Sequence, residues 1–340
     1  MKFDIEKYNA HGIIKDIARK LGTTSRTDCL EEIIDLPKNY GKGRIVGFSF
    51  SDGLSLLIFN CKLKTDWTLV FENDAPAPLQ FNFNIKGSIK HFFSKKCIQY
   101  QLNPLQGTIT AHPAGSRQTF QLPHGTDILF NTLLIDRKRY ARKIECVLDQ
   151  MPEKLQQIFQ DTAAKTSFFY QSNYSISIAN CIKKITEDKN EGLVRSTFLE
   201  GKALELFSRQ IKQYQDDLAS PGRQVMLRKF DVDKIRMAKD LLVKDLSNAP
   251  TIEELSKWVG INRQKLKQGF KKIYDKTINN YLRDERMELA SILLLHGHTV
   301  RQASTEVGYI NQSHFAKRFK ERYGILPKDY LKNIRSKVTD

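Results

Sequence analysis

The last third of this chain contains a repeat. "FKKIYDKTINNYL", residues 270–282, and "FKERYGILPKDYL", residues 319–331, share Phe, Lys, Tyr, Tyr and Leu at a constant offset of 49 residues. Leu266 and Phe315 keep the same offset. Upstream, "TIEELSKWVG" (251–260) and "TVRQASTEVG" (299–308) match at an offset of 48, so the second unit carries one extra residue in its turn. A supersecondary unit used twice is the simplest reading of such self-similarity. Its layout is that of a helix-turn-helix. Two helices crossing steeply need a small residue midway along the first, and Ser256 and Ser304 sit there. Four residues later the chain must turn sharply, and Gly260 and Gly308 can take φ > 0 at little cost. Asn262 and Asn311 fall where the second helix needs an N-cap. Leu266 and Phe270 in one unit, and Phe315 and Phe319 in the other, then form the buried side of that helix.

Between the units, "TINNYLRDERMELASILLL" (277–295) reads as one helix of about 28 Å. A rod of that length can carry two recognition helices about one duplex turn, ~34 Å, apart. The earlier chain has another character. Residues 1–40 look mostly helical. Residues 44–136 hold short runs rich in Ile, Phe, Leu and Thr, separated by Gly, Pro, Asn and Asp, and "LQFNFNI" alternates as a half-buried strand does. Six to eight such strands suggest a small sandwich, jelly roll or barrel. Residues 137–219 return to helical periodicity, with a stripe at Leu193, Val194, Thr197, Phe198, Leu204, Phe207 and Ile211 suited to packing on the strands or on a second copy of the chain. Ser220, Pro221 and Gly222 mark a linker over 220–231. The expected domains are therefore 1–219, the linker, and 232–340, with helix-turn-helix units at about 251–275 and 299–324.

Charge narrows the partner. The chain of 340 residues carries a formal +17, and from Asp231 onward 22 basic residues face 14 acidic ones, a net of +8 in under a third of the length. Such an excess favours an anionic partner, nucleic acid before a membrane surface. No apolar run is long enough to span a bilayer and the start lacks an apolar signal region, so a cytoplasmic protein with no membrane partner is expected. The five cysteines (29, 61, 97, 146 and 181) are scattered without CxxC spacing. They are expected to be free thiols, buried or half-buried, rather than zinc ligands or disulfides.

At this point the residues resemble a family. "VGYINQSHFAKRFKERYGILPKDYL" (307–331) is similar to the C-terminal signature of the AraC/XylS transcription regulators, through Val307-Gly308-Tyr309, Phe315, Phe319-Lys320, Tyr323-Gly324, Pro327 and Tyr330. "YLRDERMELASILL" resembles that family's linker helix. Two departures occur: Ala303-Ser304 stands where the family usually has Ile-Ala, and Leu255-Ser256 where it has Leu-Ala. Serine is still small enough for the helix crossing. The resemblance implies an N-terminal domain for sensing and dimerisation, often a small cupin-like barrel followed by helices. The fold class expected is thus α+β, a small β-barrel or jelly roll with accessory helices followed by an all-α domain of two helix-turn-helix units on a linker helix. "GLSLLIFNCKL" and "YQSNYSISIANCI" are similar to the branch that includes regulators of siderophore uptake.

Helical geometry picks out the DNA-facing residues. In the first recognition helix Gln264, Lys267, Gln268 and Lys271 lie opposite Leu266, Phe270 and Ile273. Gln264, Lys267 and Gln268, near its start, are assigned to base edges: Gln can pair bidentately with adenine, and Lys can donate to guanine. In the second, Ser313 and Lys317 share the exposed face beside Gln312, and the family resemblance implies base contacts at these three positions. Arg263, Lys265, Lys271, Lys272, Arg283, Arg318, Lys320 and Arg322 are assigned to phosphates, which fix register without reading sequence. Arg318 could equally sit in an ion pair with Glu321.

Other chemistry finds little support. His296 and His298 stand alone beside a capping Gly297, and His112 and His124 lack the clustered ligands of a metal-bearing barrel. No GxGxxG, P-loop or GxSxG motif occurs. No catalytic residue, metal or cofactor is called for. The reading is a sequence-specific regulator of transcription that takes two successive major grooves per subunit and answers to an effector, with an iron–siderophore as one candidate. RNA polymerase and a second copy of the chain are further expected partners. An architectural DNA binder that senses nothing, and an enzyme domain fused to a helix-turn-helix domain, stay open at this stage. The strand region is rich in Phe, and Lys86, Lys90, Lys95 and Lys96 would favour an anionic ligand, but no effector-binding residue can be named.

Overall fold

The structure is a computed structural model that describes residues 1–28, 30–72, 74–93, 98–172, 175–219, 229–274 and 276–336. The chain divides into two compact units, residues 1–224 and 225–340.

Among the described residues, the first unit is built on thirteen strands: β1 (Lys2–Ile5), β2 (Arg26–Asp28), β3 (Glu31–Asp35), β4 (Gly41–Ser49), β5 (Leu54–Leu63), β6 (Trp67–Phe71), β7 (Leu79–Lys86), β8 (Ile89–Phe93), β9 (Ile98–Leu102), β10 (Gly107–Ala111), β11 (Gln118–Leu122), β12 (Asp127–Ile135) and β13 (Phe168–Gln171). They form a five-stranded sheet, β1-β6-β11-β8-β9, and an eight-stranded sheet, β13-β10-β7-β12-β5-β4-β3-β2. Phe3, Trp67, Leu69 and Phe120 from the first sheet share one core with Ile45, Leu57, Phe59 and Phe130 from the second. The pair is a two-layer β domain, closed along one flank by α1 (Ala10–Leu21), whose Ile13, Ile14 and Ile17 join the same core. Further helices follow: α2 (Arg137–Ile144), a 3₁₀ turn (Glu145–Gln150), α3 (Glu153–Gln160), α4 (Ile176–Thr186) and α5 (Gly192–Ala219).

The expectation of a mostly helical first forty residues is corrected. Among the described residues there, only α1 is helical, and β1, β2 and β3 are strands. Their pairing is what local pattern conceals: β1 joins the sheet by parallel pairing with β6, some sixty-five residues away, with Phe3 opposite Leu69. Likewise β13 lies inside the stretch expected to be all helix, where it pairs with β10. The stripe on α5 is also displaced. Leu199, Ala203, Leu206, Phe207 and Tyr214 are buried, whereas Leu193 is 81% exposed and Val194 64%. Phe207 meets Phe81 of β7 edge-on at 5.0 Å, so the buried side of this helix packs on the eight-stranded sheet. Of the expected linker, residues 220–228 lie outside the described residues, and helix begins at Lys229. Cys61 and Cys181 are buried thiols, Cys146 is exposed, and Cys29, Cys97, Lys95 and Lys96 lie outside the described residues.

The second unit is all helix among its described residues: α6 (Lys229–Lys244), α7 (Ile252–Val259), α8 (Arg263–Tyr274), α9 (Ile278–Leu295), α10 (Val300–Glu306), α11 (Gln312–Tyr323) and α12 (Pro327–Ser336). At 1.5 Å per residue, the 18 residues of α9 give a rod of about 27 Å.

Candidate nucleic-acid interface

Each helix-turn-helix starts from the same local chemistry. Thr251 and Thr299 both form capping boxes: each hydroxyl accepts the backbone N–H three residues on, while Glu254 or Gln302 returns to the cap's own N–H at 2.8 Å. These contacts satisfy donors that a helix start leaves without partners. The turns follow, with φ of +62° at Gly260 and +80° at Gly308. Asn262 then accepts from the Lys265 N–H at 2.8 Å, and Asn311 from the His314 N–H at 3.1 Å, so both recognition helices, α8 and α11, begin on an Asn cap.

The repeat persists in the packing. Leu266, Phe270, Phe315 and Phe319 are all fully buried. Phe270 lies 4.5 Å from Tyr274 and 5.5 Å from Tyr281, and Phe319 lies 4.6 Å from Tyr323 and 5.5 Å from Tyr330. Two small aromatic cores of nearly equal geometry thus anchor the two helices. The small-residue positions differ in detail. Ser304 is buried and its hydroxyl donates to the Arg301 carbonyl at 2.9 Å, whereas Ser256 is half-buried and donates across the turn to the Ile261 carbonyl at 2.9 Å. Gly324, with φ +78°, caps the end of α11, and buried Pro327 opens α12, where its missing N–H costs nothing.

With the cores fixed, the outward faces are set. Gln264, Lys267, Gln268, Lys271, Arg263 and Lys272 on α8, and Gln312, Ser313, Lys317, Lys320 and Arg322 on α11, are exposed. Lys265, Arg283 and Arg318 are half-buried. Helix α8 carries five basic residues and no acid; α11 carries four and one. That single acid is paired: Arg318 donates to Glu321 at 2.7 Å, and its guanidinium holds the Glu321 carboxyl below its usual range. Of the two roles open to Arg318, the structure contains the ion pair. Arg263 lies 3.5 Å from Glu253, and Arg283 3.9 Å from Asp284. Exposed pairs of this sort are worth roughly 0–1 kcal/mol.

Two features escape sequence reasoning. Helix α6 is part of the first helix-turn-helix, lending buried Val232, Ile235, Ala238 and Leu242, while α7 and α8 pack against it. Its periodicity marks a helix but says nothing of its partner. The second is Arg286 on α9. Its Nε donates to the Leu246 carbonyl at 2.9 Å, and its guanidinium lies 5.7 Å from the centre of the Tyr309 ring. It fastens the loop after α6 to the turn of the second unit. Gly308 completes this junction, since a Cβ there would stand 2.5 Å from the Ser247 carbonyl oxygen. His296 and His298 each meet a carbonyl at the end of α9, at 2.8 and 3.1 Å. Among the described residues, no group of three or more His, Cys, Asp or Glu could hold a metal, and no helix is long and apolar enough to cross a membrane.

Known proteins supply the context. Residues 255–333 match the family described as "Helix-turn-helix domain", and residues 42–225, more than half the chain, match "Regulatory protein PchR N-terminal domain". The regulatory protein PchR of Pseudomonas aeruginosa is 33% identical over 103 residues, covering 30% of this chain and 34% of that protein. An uncharacterized HTH-type transcriptional regulator in the cgkA 5′ region of Pseudoalteromonas carrageenovora is 30% identical over 124 residues, 36% of this chain and 74% of its own length. Among solved structures, ToxT of Vibrio cholerae aligns with 82% of this chain and 98% of its own, at 15% identity and a TM-score of 0.30. The chain therefore belongs to the AraC-type helix-turn-helix transcription regulators that carry a PchR-type N-terminal domain.

Proposed function

We propose that each chain reads a non-palindromic half-site by placing α8 and α11 in two successive major grooves, and that an effector held by the first unit governs this binding. The observation that carries the reading is the duplicated core. Equivalent aromatic clusters hold two exposed, cation-rich helices on either end of a rod of about 27 Å. Gln264, Lys267 and Gln268 on α8, and Gln312, Ser313 and Lys317 on α11, are the base readers. Arg263, Lys265, Lys271, Lys272, Arg283, Arg318, Lys320 and Arg322 hold phosphates. Because α8 and α11 differ in sequence, the two grooves are read differently.

The regulator acts as an activator in contact with RNA polymerase, and a second copy of the chain occupies a neighbouring half-site. The match to a PchR-type N-terminal domain supports a small-molecule effector, with an iron–siderophore complex as one candidate. An effector shifts the protein only by its differential affinity for the DNA-competent arrangement.

The test separates the two kinds of contact. Lys317→Ala relaxes specificity at one base pair, where a good contact discriminates by ~1–3 kcal/mol. Lys320→Ala weakens binding to every sequence and reduces the log–log salt slope by about 0.9. A slope left unchanged by Lys320→Ala removes it from the phosphate contacts.

A further inference from the structure

A polar seam lies between the two sheets, with Gln118 and His91 on the five-stranded sheet facing Gln80 and Thr110 on the eight-stranded one. The Gln118 side-chain amide donates to Gln80 Oε1 at 3.1 Å and to Thr110 Oγ at 3.5 Å, and lies 2.8 Å from Nε2 of His91. Gln80, Gln118 and His91 are fully buried. Beside them His112, 1% exposed, has no hydrogen-bond partner on either ring nitrogen. Burial holds both imidazoles neutral, with His112 pushed down to about 4 and His91 to about 3. A neutral imidazole offers one donor and one acceptor. Keeping both without partners in a folded interior is costly, and natural cores rarely do so without a reason.

This seam adjoins a cavity of about 350 Å³. Two contacts show the continuity. Leu134, on the cavity wall, is the cross-strand neighbour of Gln80. Tyr8, also on the wall, sets its ring edge-on to His112 at 6.1 Å between centres. The volume lies in the range of small-molecule sites. The exposed charged residues of the cavity lining are Lys138 and Arg139 against one carboxylate, Asp136, which is already engaged in capping α2. Arg137 is turned inward, donating to the Ala77 carbonyl at 2.6 Å with Asp161 at 3.7 Å, while Lys138 and Arg139 are exposed. Arg139 donates to the Ser51 carbonyl at 2.6 Å, which fixes its guanidinium at the rim.

We infer that this cavity binds an anionic small molecule, its acidic group held at the mouth by Lys138 and Arg139 and its uncharged body reaching past Tyr8 to hydrogen-bond His112. This inference rests on the effector-responsive reading and names the chemistry that reading requires. The lysines expected from the sequence to favour an anion, Lys86 and Lys90, lie on β7 and β8 and do not border the cavity.

The test uses the full chain without DNA and two fluorescent probes of one shape, 1-anilinonaphthalene-8-sulfonate and its uncharged counterpart N-phenyl-1-naphthylamine. The expected result is saturable binding of the sulfonate at one site per chain. K138E/R139E weakens it at least tenfold and leaves the neutral probe within twofold. Both positions are exposed, so the fold survives, and the milder K138Q/R139Q gives a smaller weakening of the same kind. H112L weakens both probes, because each carries an anilino N–H for the imidazole. Absence of a saturable site, or sulfonate affinity indifferent to the charge reversal, overturns the assignment while leaving the DNA-binding reading intact. If the probe binds as described, a promoter footprint that never responds to any cavity ligand contradicts effector control and leaves the site standing.

Discussion

Gly308 and Gly260 occupy equivalent turns, yet alanine should cost much more at one than at the other. Both glycines are left-handed, at φ +80° and +62°. An L-residue in that region pays roughly 1–2 kcal/mol. At Gly260 little is added, because the nearest atom to a new Cβ is the flexible end of Lys234 at 3.1 Å. At Gly308 the Cβ would stand 2.5 Å from the Ser247 carbonyl oxygen and 2.9 Å from that of Leu246, both main-chain atoms. The loop must retreat, straining the 2.9 Å bond from Arg286 to Leu246. Overpacking of this kind costs about 1–3 kcal/mol more. G260A should therefore destabilise by about 1–2 kcal/mol and G308A by about 2–5 kcal/mol. The assay is hydrogen exchange by mass spectrometry on the full chain across a urea series, following peptides from residues 229–336. If G260A costs as much as G308A, the junction of Gly308, Arg286 and the 246–247 loop is not what the second unit leans on.

Three further outcomes follow from the same structure. F270A and F319A each remove a fully buried ring and should cost about 3–5 kcal/mol; exchange should rise first in α7–α8 for F270A and in α10–α11 for F319A. T251A and T299A each break a capping box at a cost of ~1 kcal/mol, visible as faster exchange at the starts of α7 and α10. His91 and His112 have folded pKa values depressed by burial to about 3 and about 4, so the unfolded chain binds more protons at acid pH. Their contribution to stability is complete above pH ~6.5 and lost as pH falls toward those values. Moving from pH 7 to pH 5 should weaken the first unit by about 2 kcal/mol per histidine, and H112L should halve the slope of a urea-midpoint series against pH.

What the sequence revealed tracks the range of the interactions involved. The helix-turn-helix pair was legible because its determinants are local and occur twice. Within each unit the capping threonine, the turn glycine and the buried pair, Leu266 and Phe270 or Phe315 and Phe319, lie within about twenty residues of one another. The two-layer β domain was legible as a class from alternation in stretches such as "LQFNFNI". Its edges were not, because β1 is a strand through β6 and β13 through β10, pairings with no local signature. The α5 stripe was misplaced for a related reason: Leu193 and Val194 fit the helical period, but the sheet beneath ends the buried face at Leu199. The cavity was invisible because Tyr8, Leu134 and Arg137 converge from well-separated parts of the chain. His112 stood out in the sequence only as a lone histidine, and its burial beside Gln118 and Gln80 requires the two sheets to be assembled.

A hydroxyl-radical footprint of one full-length chain on its half-site, repeated with K267A and K317A, tests whether the two helices take two grooves. Two helix-turn-helix units on the rod of α9 predict two protected patches about one duplex turn, roughly 10–10.5 base pairs, apart. K267A should relax sequence preference only in one patch and K317A only in the other. A single protected patch, or both substitutions acting on the same base pairs, would rule out reading by two successive grooves.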